Sequence, residues 1–225
     1  MNTVTSLCEF NRRMLNSFSD HCLQRLTGRP AIALPASFIK EHLRDNIEKE
    51  AAKDCLVIEH AAHAIRAGAR LGDGTIDDLF ERSKEIDRVF IGRLALPSFS
   101  FEPRYEIIED IRKKRFRYLA DFTADLLETM NGHSLDDAVR QLYTAEQFHG
   151  LIGEILFLYC IEVKMLAGMV RFLPPFNRAM DEFIDDVVEA MEQARHEIAA
   201  DLSNSLFPLP PHRGKRRPAR SFSIV

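Results

Sequence analysis

A helix without a polar face must be surrounded, and residues 145–172 read as one. Phe148, Leu151, Ile152, Ile155, Leu156, Phe157, Leu158, Tyr159, Ile161, Val163, Met165, Leu166 and Met169 leave little of its circumference polar. Such a segment belongs at the centre of a bundle or in an interface between copies of the chain. It does not read as a membrane span. Its longest unbroken apolar run, Ile155–Ile161, has seven residues before Glu162 and Lys164 interrupt it, and a bilayer needs roughly 20.

The rest of the chain supplies helices to surround it. Val4, Leu7, Met14, Phe18, Cys22 and Leu26 recur at helical spacing over residues 3–27, with Gly28 as a stop. Leu43, Ile47, Ala51, Cys55, Ile58, Ala62 and Ile65 do so over 37–71, ended by Gly72-Asp73-Gly74. Thr75 and Asp78 mark the start of a helix over 76–94 that uses Leu79, Ile86 and Phe90. Tyr105, Ile108, Ile111, Leu119, Phe122 and Leu126 define a helix over 104–131, ended by Asn131-Gly132. Ser134 with Asp137 caps a short helix, and Thr144 with Gln147 forms a capping box before the apolar segment. Met180, Phe183, Val187, Met191, Ala194, Ile198 and Leu202 stripe the last helix, 177–203. No stretch alternates with period two. Four Leu-Pro pairs, Leu34-Pro35, Leu96-Pro97, Leu173-Pro174 and Leu209-Pro210, enforce reversals or linkers, because proline bars helical geometry before it and lacks an amide donor.

The expected fold is therefore all-α: an elongated multi-helix bundle of four long helices, 37–71, 104–131, 145–172 and 177–203. Residues 3–27 and 76–94 form additional layers, and a flexible C-terminal tail follows. Residues 1–203 form one helical-bundle domain, and residues 204–225 form a Pro-rich basic tail. With 46% hydrophobic and 28% charged residues the chain has the profile of a globular protein. Cys8, Cys22, Cys55 and Cys160 are widely spaced without a CxxC pair, which argues against a disulfide framework and a structural zinc site. No apolar stretch follows a basic start at the N-terminus, so a cytoplasmic, reducing compartment is expected.

Several chemistries lose ground at once. There is no GxxxxGK[ST] or GxGxxG phosphate loop, no GxSxG elbow, no HExxH and no EF-hand loop. The sharpest enzymatic candidate is a carboxylate–histidine metal centre of the di-iron or manganese type. Glu146 and His149 form a Glu-x-x-His pair, Glu59 and His63 stand one turn apart, and Glu154 lies in an apolar stretch where a bare carboxylate is costly. A full dinuclear site needs two Glu-x-x-His pairs and two further acids. Glu59 and His63 also fall opposite the apolar stripe, on what reads as a solvated face.

Charge supplies the other candidates. Arg112-Lys113-Lys114-Arg115-Phe116-Arg117 interleaves cations with an aromatic, as an anion-binding surface would. Glu109 and Asp110 precede Lys113 and Lys114 by four residues, so a solvated, internally paired helix face is the expectation. The final helix is acidic, and Arg178 and Arg195 are its only cations. The formal charge is −4; setting aside the five cations after residue 210 leaves −9 for residues 1–210. Those cations, Arg213, Lys215, Arg216, Arg217 and Arg220, precede an apolar terminus containing Ile224 and Val225, which suits capture by a partner. The favoured expectation is a non-enzymatic helical interaction protein, an adaptor, assembly or regulatory subunit. It would bind a protein partner, or a second copy of itself, through its bundle surface and tail. A metal-dependent enzyme using iron or manganese stands second. A nucleic-acid or anionic-surface binder is third, disfavoured by the acidic body.

Overall fold

The computed structural model describes residues 3–26, 36–94, 104–130, 133–170 and 178–208, excepting the side chains of 36–43, 90–94, 167–170, 178–180 and 183. The four Leu-Pro pairs and the candidate tail residues Arg213, Lys215, Arg216, Arg217, Arg220, Ile224 and Val225 lie outside the described residues. Seven helices carry the fold: α1 Thr3–Leu26, α2 Ala36–Arg66, α3 Asp73–Leu94, α4 Tyr105–Thr129, α5 Leu135–Leu142, α6 Ala145–Val170 and α7 Arg178–Leu206. No strand occurs among the described residues.

The helices close into a ring. α1 packs on α2, α2 on α4, α4 on α6, α6 on α7, and α7 returns to α1. α3 lies outside the ring against α2 and α4, and α5 lies against α4. Two expectations change. α1 is a full member of the ring, burying Leu7, Met14, Leu15, Phe18, Cys22 and Leu26. The apolar α6 is one wall rather than an axis. It buries Phe148, Ile152, Ile155, Leu156, Leu158, Tyr159 and Cys160, while Leu151, Phe157, Ile161, Met165 and Leu166 stay half-buried.

Local chemistry explains the element ends. The Ser134 hydroxyl accepts the Asp137 N–H at 3.2 Å. The Gln147 N–H donates to the Thr144 hydroxyl at 3.2 Å, and the Gln147 side-chain oxygen accepts the Thr144 N–H at 2.9 Å, so the capping box is formed. The stop of α2 comes earlier than Gly72. Gly68 takes φ +73°, the Ala69 N–H donates to the Ala64 carbonyl at 2.9 Å, and the Gly68 N–H donates to the Ile65 carbonyl at 2.9 Å. This is a Schellman termination, and it needs a residue that enters the left-handed region without strain. α3 starts at Asp73, so Thr75 lies inside its first turn rather than capping it.

At one end of the bundle, Phe10, Phe122, Tyr143, Phe148 and Phe207 form an aromatic cluster, with Phe148 and Phe207 ring centroids 6.0 Å apart. The cluster extends the folded body past Ser203. α7 continues to Leu206, which is buried, and the Ser203 hydroxyl donates to the Ala145 carbonyl at 2.8 Å.

Candidate functional site

Away from the aromatic end, charge replaces hydrocarbon in the core. On α2, Glu50, Lys53 and Asp54 share the inward stripe with Ile47, Ala51 and Ile58. On α4, Arg112 and Arg115 fall between Ile108 and Leu119 on the same inward face. α3 contributes Ser83 and Asp87, α6 contributes Glu162, and α1 contributes Asn11. None of these side chains is more than 5% exposed except where Lys49 (17%) reaches in from the edge.

The contacts are dense. Arg115 donates to Asp54 Oδ1 at 2.6 Å and to Glu50 Oε2 at 2.7 Å. Arg112 donates through Nε to Glu162 Oε1 at 2.9 Å, and through Nη1 to Asp87 Oδ2 and the Ser83 hydroxyl, both at 2.9 Å. Lys53 Nζ sits 2.7 Å from both Glu50 Oε1 and Asp87 Oδ1. Lys49 is 3.6 Å from the same two carboxylates. Asn11 donates to Asp54 Oδ2 at 3.0 Å, tying α1 to the layer. Tyr159, below the Arg115 guanidinium, accepts from Asn46 at 2.9 Å. Lys49, Lys53, Arg112 and Arg115 thus face Glu50, Asp54, Asp87 and Glu162, and the layer is formally neutral.

Ionisation follows from that balance. Burial works to raise the Glu50 carboxyl, but Lys53 and Arg115 overrule it and hold Glu50 well below the usual range. Asp87 is lowered against burial by Lys53 and Arg112. For Asp54 burial wins, and its carboxyl is raised despite Arg115. Burial also lowers the Lys53 ammonium, which Glu50 only partly offsets. Both guanidiniums are raised, because Glu162 and Asp87 at Arg112, and Asp54 and Glu50 at Arg115, outweigh burial. Charge-balanced and sealed in this way, with only Asp87 Oδ1, Arg115 Nε and Glu162 Oε2 lacking a hydrogen bond of their own, the layer suits holding helices in register rather than meeting a substrate.

The sequence-predicted residues sit elsewhere. Glu59, His63, Glu146 and His149 are exposed. The first two stand on α2 and the others on α6, and α4 lies between those helices in the ring. Glu154, on α6 as well, is a surface ion-pair partner of Lys114 at 3.1 Å and not a stranded buried carboxylate. No group of three or more His, Cys, Asp or Glu placed to hold a metal ion occurs among the described residues.

The basic run divides in two. Arg112 and Arg115 are 0% and 1% exposed, which corrects the expectation of a solvated face and withdraws both from any anionic surface. Their positions, four residues after Ile108 and four before Leu119, are apolar-stripe positions, and helical geometry turns them inward. Lys113 pairs with Glu109 as expected and also with Asp77. Lys114 takes Glu154 instead of Asp110, and Arg117 pairs with Asp73 at 3.0 Å. The acidic α7 likewise has a partner beyond its own arginines: Arg25 of α1 reaches Glu197 and Gln193.

Compared with known proteins, the chain matches no family model, no curated protein and no solved structure. No described helix is long and apolar enough to cross a membrane.

Proposed function

We propose that this chain is a helical interaction protein, an adaptor, assembly or regulatory subunit, that binds a protein partner through its bundle surface and its basic C-terminal extension. The reading rests on where polar and apolar chemistry is spent. The densest ionisable cluster is sealed inside and neutralised by its own counter-ions. The two large hydrophobic side chains exposed among the described residues, Val89 (54%) and Ile107 (41%), stand near the facing ends of α3 and α4. Large apolar side chains exposed on an otherwise charged surface suit contact with a protein partner.

Co-purification tests this with three forms of the chain: full length, ending at Pro208, and Val89→Asp/Ile107→Asp. Each alteration spares the buried residues of the described core. The expected result is a stoichiometric partner, or a dimer, that the full chain retains and at least one altered form loses. Identical recovery and identical oligomeric state for all three forms overturns the proposal.

A further inference from the structure

A second stripe runs along α6, opposite the one that builds the core. Phe148, Ile152, Ile155 and Tyr159 are buried and share the inward face. Gly150, Glu154, Phe157, Ile161 and Lys164 take the opposite face, with Gly150 and Lys164 exposed and the three between them half-buried. Their spacing alternates four, three, four and three residues, the repeat that keeps one face of a helix against a second helix. α4 and α7 flank the stripe. Lys114 of α4 reaches Glu154 at 3.1 Å, and the Arg195 guanidinium of α7 lies 5.0 Å from the Phe157 ring centroid.

Three of these positions fit poorly with a face that meets only water. Phe157 and Ile161 put hydrocarbon at its centre, where a helix on the rim of a solitary bundle carries polar residues. Gly150 lies within the helix, where glycine costs about 0.5–1 kcal/mol relative to alanine. A Cβ at Gly150 would meet nothing within 4 Å, so no neighbour inside the chain requires the missing side chain. A helix approaching from outside would use it. Lys164 has no ion-pair partner among the described residues.

The stripe is also complementary to itself. Glu154 and Lys164 stand five residues either side of position 159, and Phe157 and Ile161 stand two residues either side of it. A two-fold axis at that level, the commonest symmetry of homodimers, runs one α6 antiparallel to the other. It places Glu154 opposite Lys164 of the second copy and Phe157 opposite its Ile161, and repeats both pairs by symmetry. A parallel arrangement sets Glu154 on Glu154 and Lys164 on Lys164, and is opposed by like charge.

We infer that the outward face of α6 is a homodimer interface, an antiparallel α6–α6 pair closed by Phe157 and Ile161 and set in register by Glu154 and Lys164. The partner it fits is a second copy of this chain. The surface is separate from Val89, Ile107 and the C-terminal extension, so it goes beyond the reading above and stands without it.

Sedimentation equilibrium of the full-length chain tests this with Glu154→Lys and Lys164→Glu, each checked for unchanged helical circular dichroism. The wild type should dimerise as its concentration rises. Each single variant sets like charges against each other in both symmetry-related pairs, and should dimerise about tenfold more weakly or worse. Mixed in equal amounts, the two variants regain both opposite pairs and should form a heterodimer of wild-type strength. Phe157→Ser should weaken the dimer with no change of charge. The inference is overturned if the wild type stays monomeric up to about 0.1 mM, the weak end of specific association. It is equally overturned if the charge reversals leave the dimer intact or if their mixture stays monomeric. A dimer that Val89→Asp/Ile107→Asp abolishes and the α6 variants keep also overturns it, and assigns self-association to the surface of the reading above.

Discussion

Arg115 on α4 and Asp54 on α2 meet at 2.6 Å, and both side chains are 1% exposed. Two charges this deep repay their lost hydration only through close geometry and further hydrogen bonds. Asp54 gains its second hydrogen bond from Asn11, and Arg115 gains its second partner in Glu50.

Removing one member alone should therefore be severe. Arg115→Met strands Asp54 and weakens Glu50, and urea unfolding should show a loss of about 3–5 kcal/mol. Asp54→Asn keeps the shape and a hydrogen-bonding group, and should cost about 1–3 kcal/mol. Pairing Arg115→Met with Asp54→Leu should recover part of the loss, with a coupling of about 1–3 kcal/mol in the double-mutant cycle. Additive losses in the double variant would mean that the two charges do not depend on each other.

Acid should dismantle the same layer. Glu50 and Asp87 have folded pKa values below their ordinary 4.5 and 3.8, so the stability they contribute is full above those values and is lost as pH falls through the lower folded ones. Asp54, raised in the fold, has the opposite sign: its ionisation costs stability as pH rises from 3.8 through its folded value. With two lowered carboxyls against one raised, Tm should fall steeply below about pH 4. Glu50→Gln should flatten that fall while lowering Tm at neutral pH. A wild-type Tm unchanged from pH 6 to pH 3 would contradict this ionisation pattern.

The Lys114–Glu154 pair on the surface should behave differently. Its side chains are 50% and 34% exposed, so Glu154→Gln should change stability by no more than about 1 kcal/mol. Salt should shrink even that difference. A loss as large as that of Arg115→Met would place Glu154 in the structural core.

At the other end, Phe207 closes the aromatic cluster. Phe207→Ala should cost about 2 kcal/mol, the scale of burying one large apolar side chain. A chain ending at Pro208 should melt with the full-length protein, while one ending at Ser203 should melt lower, having lost Leu206 and Phe207 as well. Equal melting of all three would separate these residues from the core.

Gly68 offers a conformational test. Its φ is +73°, and a Cβ there would meet nothing within 4 Å, so the cost of Gly68→Ala is purely backbone. Thermal unfolding should show a loss of about 1–2 kcal/mol from placing an L-residue in the left-handed region.

Periodicity exposed the helices because each one buries a stripe, and capping chemistry fixed local starts such as Ser134 and Thr144. The ionic layer was hidden by the same logic. Glu50, Asp54, Arg112, Arg115 and Glu162 occupy stripe positions, yet each, read on its own helix, looks like a polar interruption. Their meaning lies in pairs between different helices, 50 or more residues apart for Arg112 with Glu162 and Arg115 with Asp54. A visible signal existed in the opposite charges interleaved with Ile47, Ala51 and Ile58 on α2 and with Ile108 and Leu119 on α4. The metal candidates illustrate the converse. Glu-x-x-His spacing guarantees only that two side chains share a helix face, and at Glu146 and His149 that face meets solvent.

The layer also bears on how the chain assembles. Its charges are drawn from α2, α3, α4 and α6; Glu50 has Lys49 and Lys53 on its own helix, but Asp87, Arg112, Arg115 and Glu162 meet counter-ions only when other helices dock. A partly formed bundle holds guanidiniums and carboxylates without partners, in a setting where hydrocarbon would tolerate a loose fit and charge does not. Apolar collapse can begin from many arrangements, whereas neutrality here is reached in one. A helix docked out of register would leave one of these buried charges without its counter-ion, a cost that a purely apolar seam would not impose.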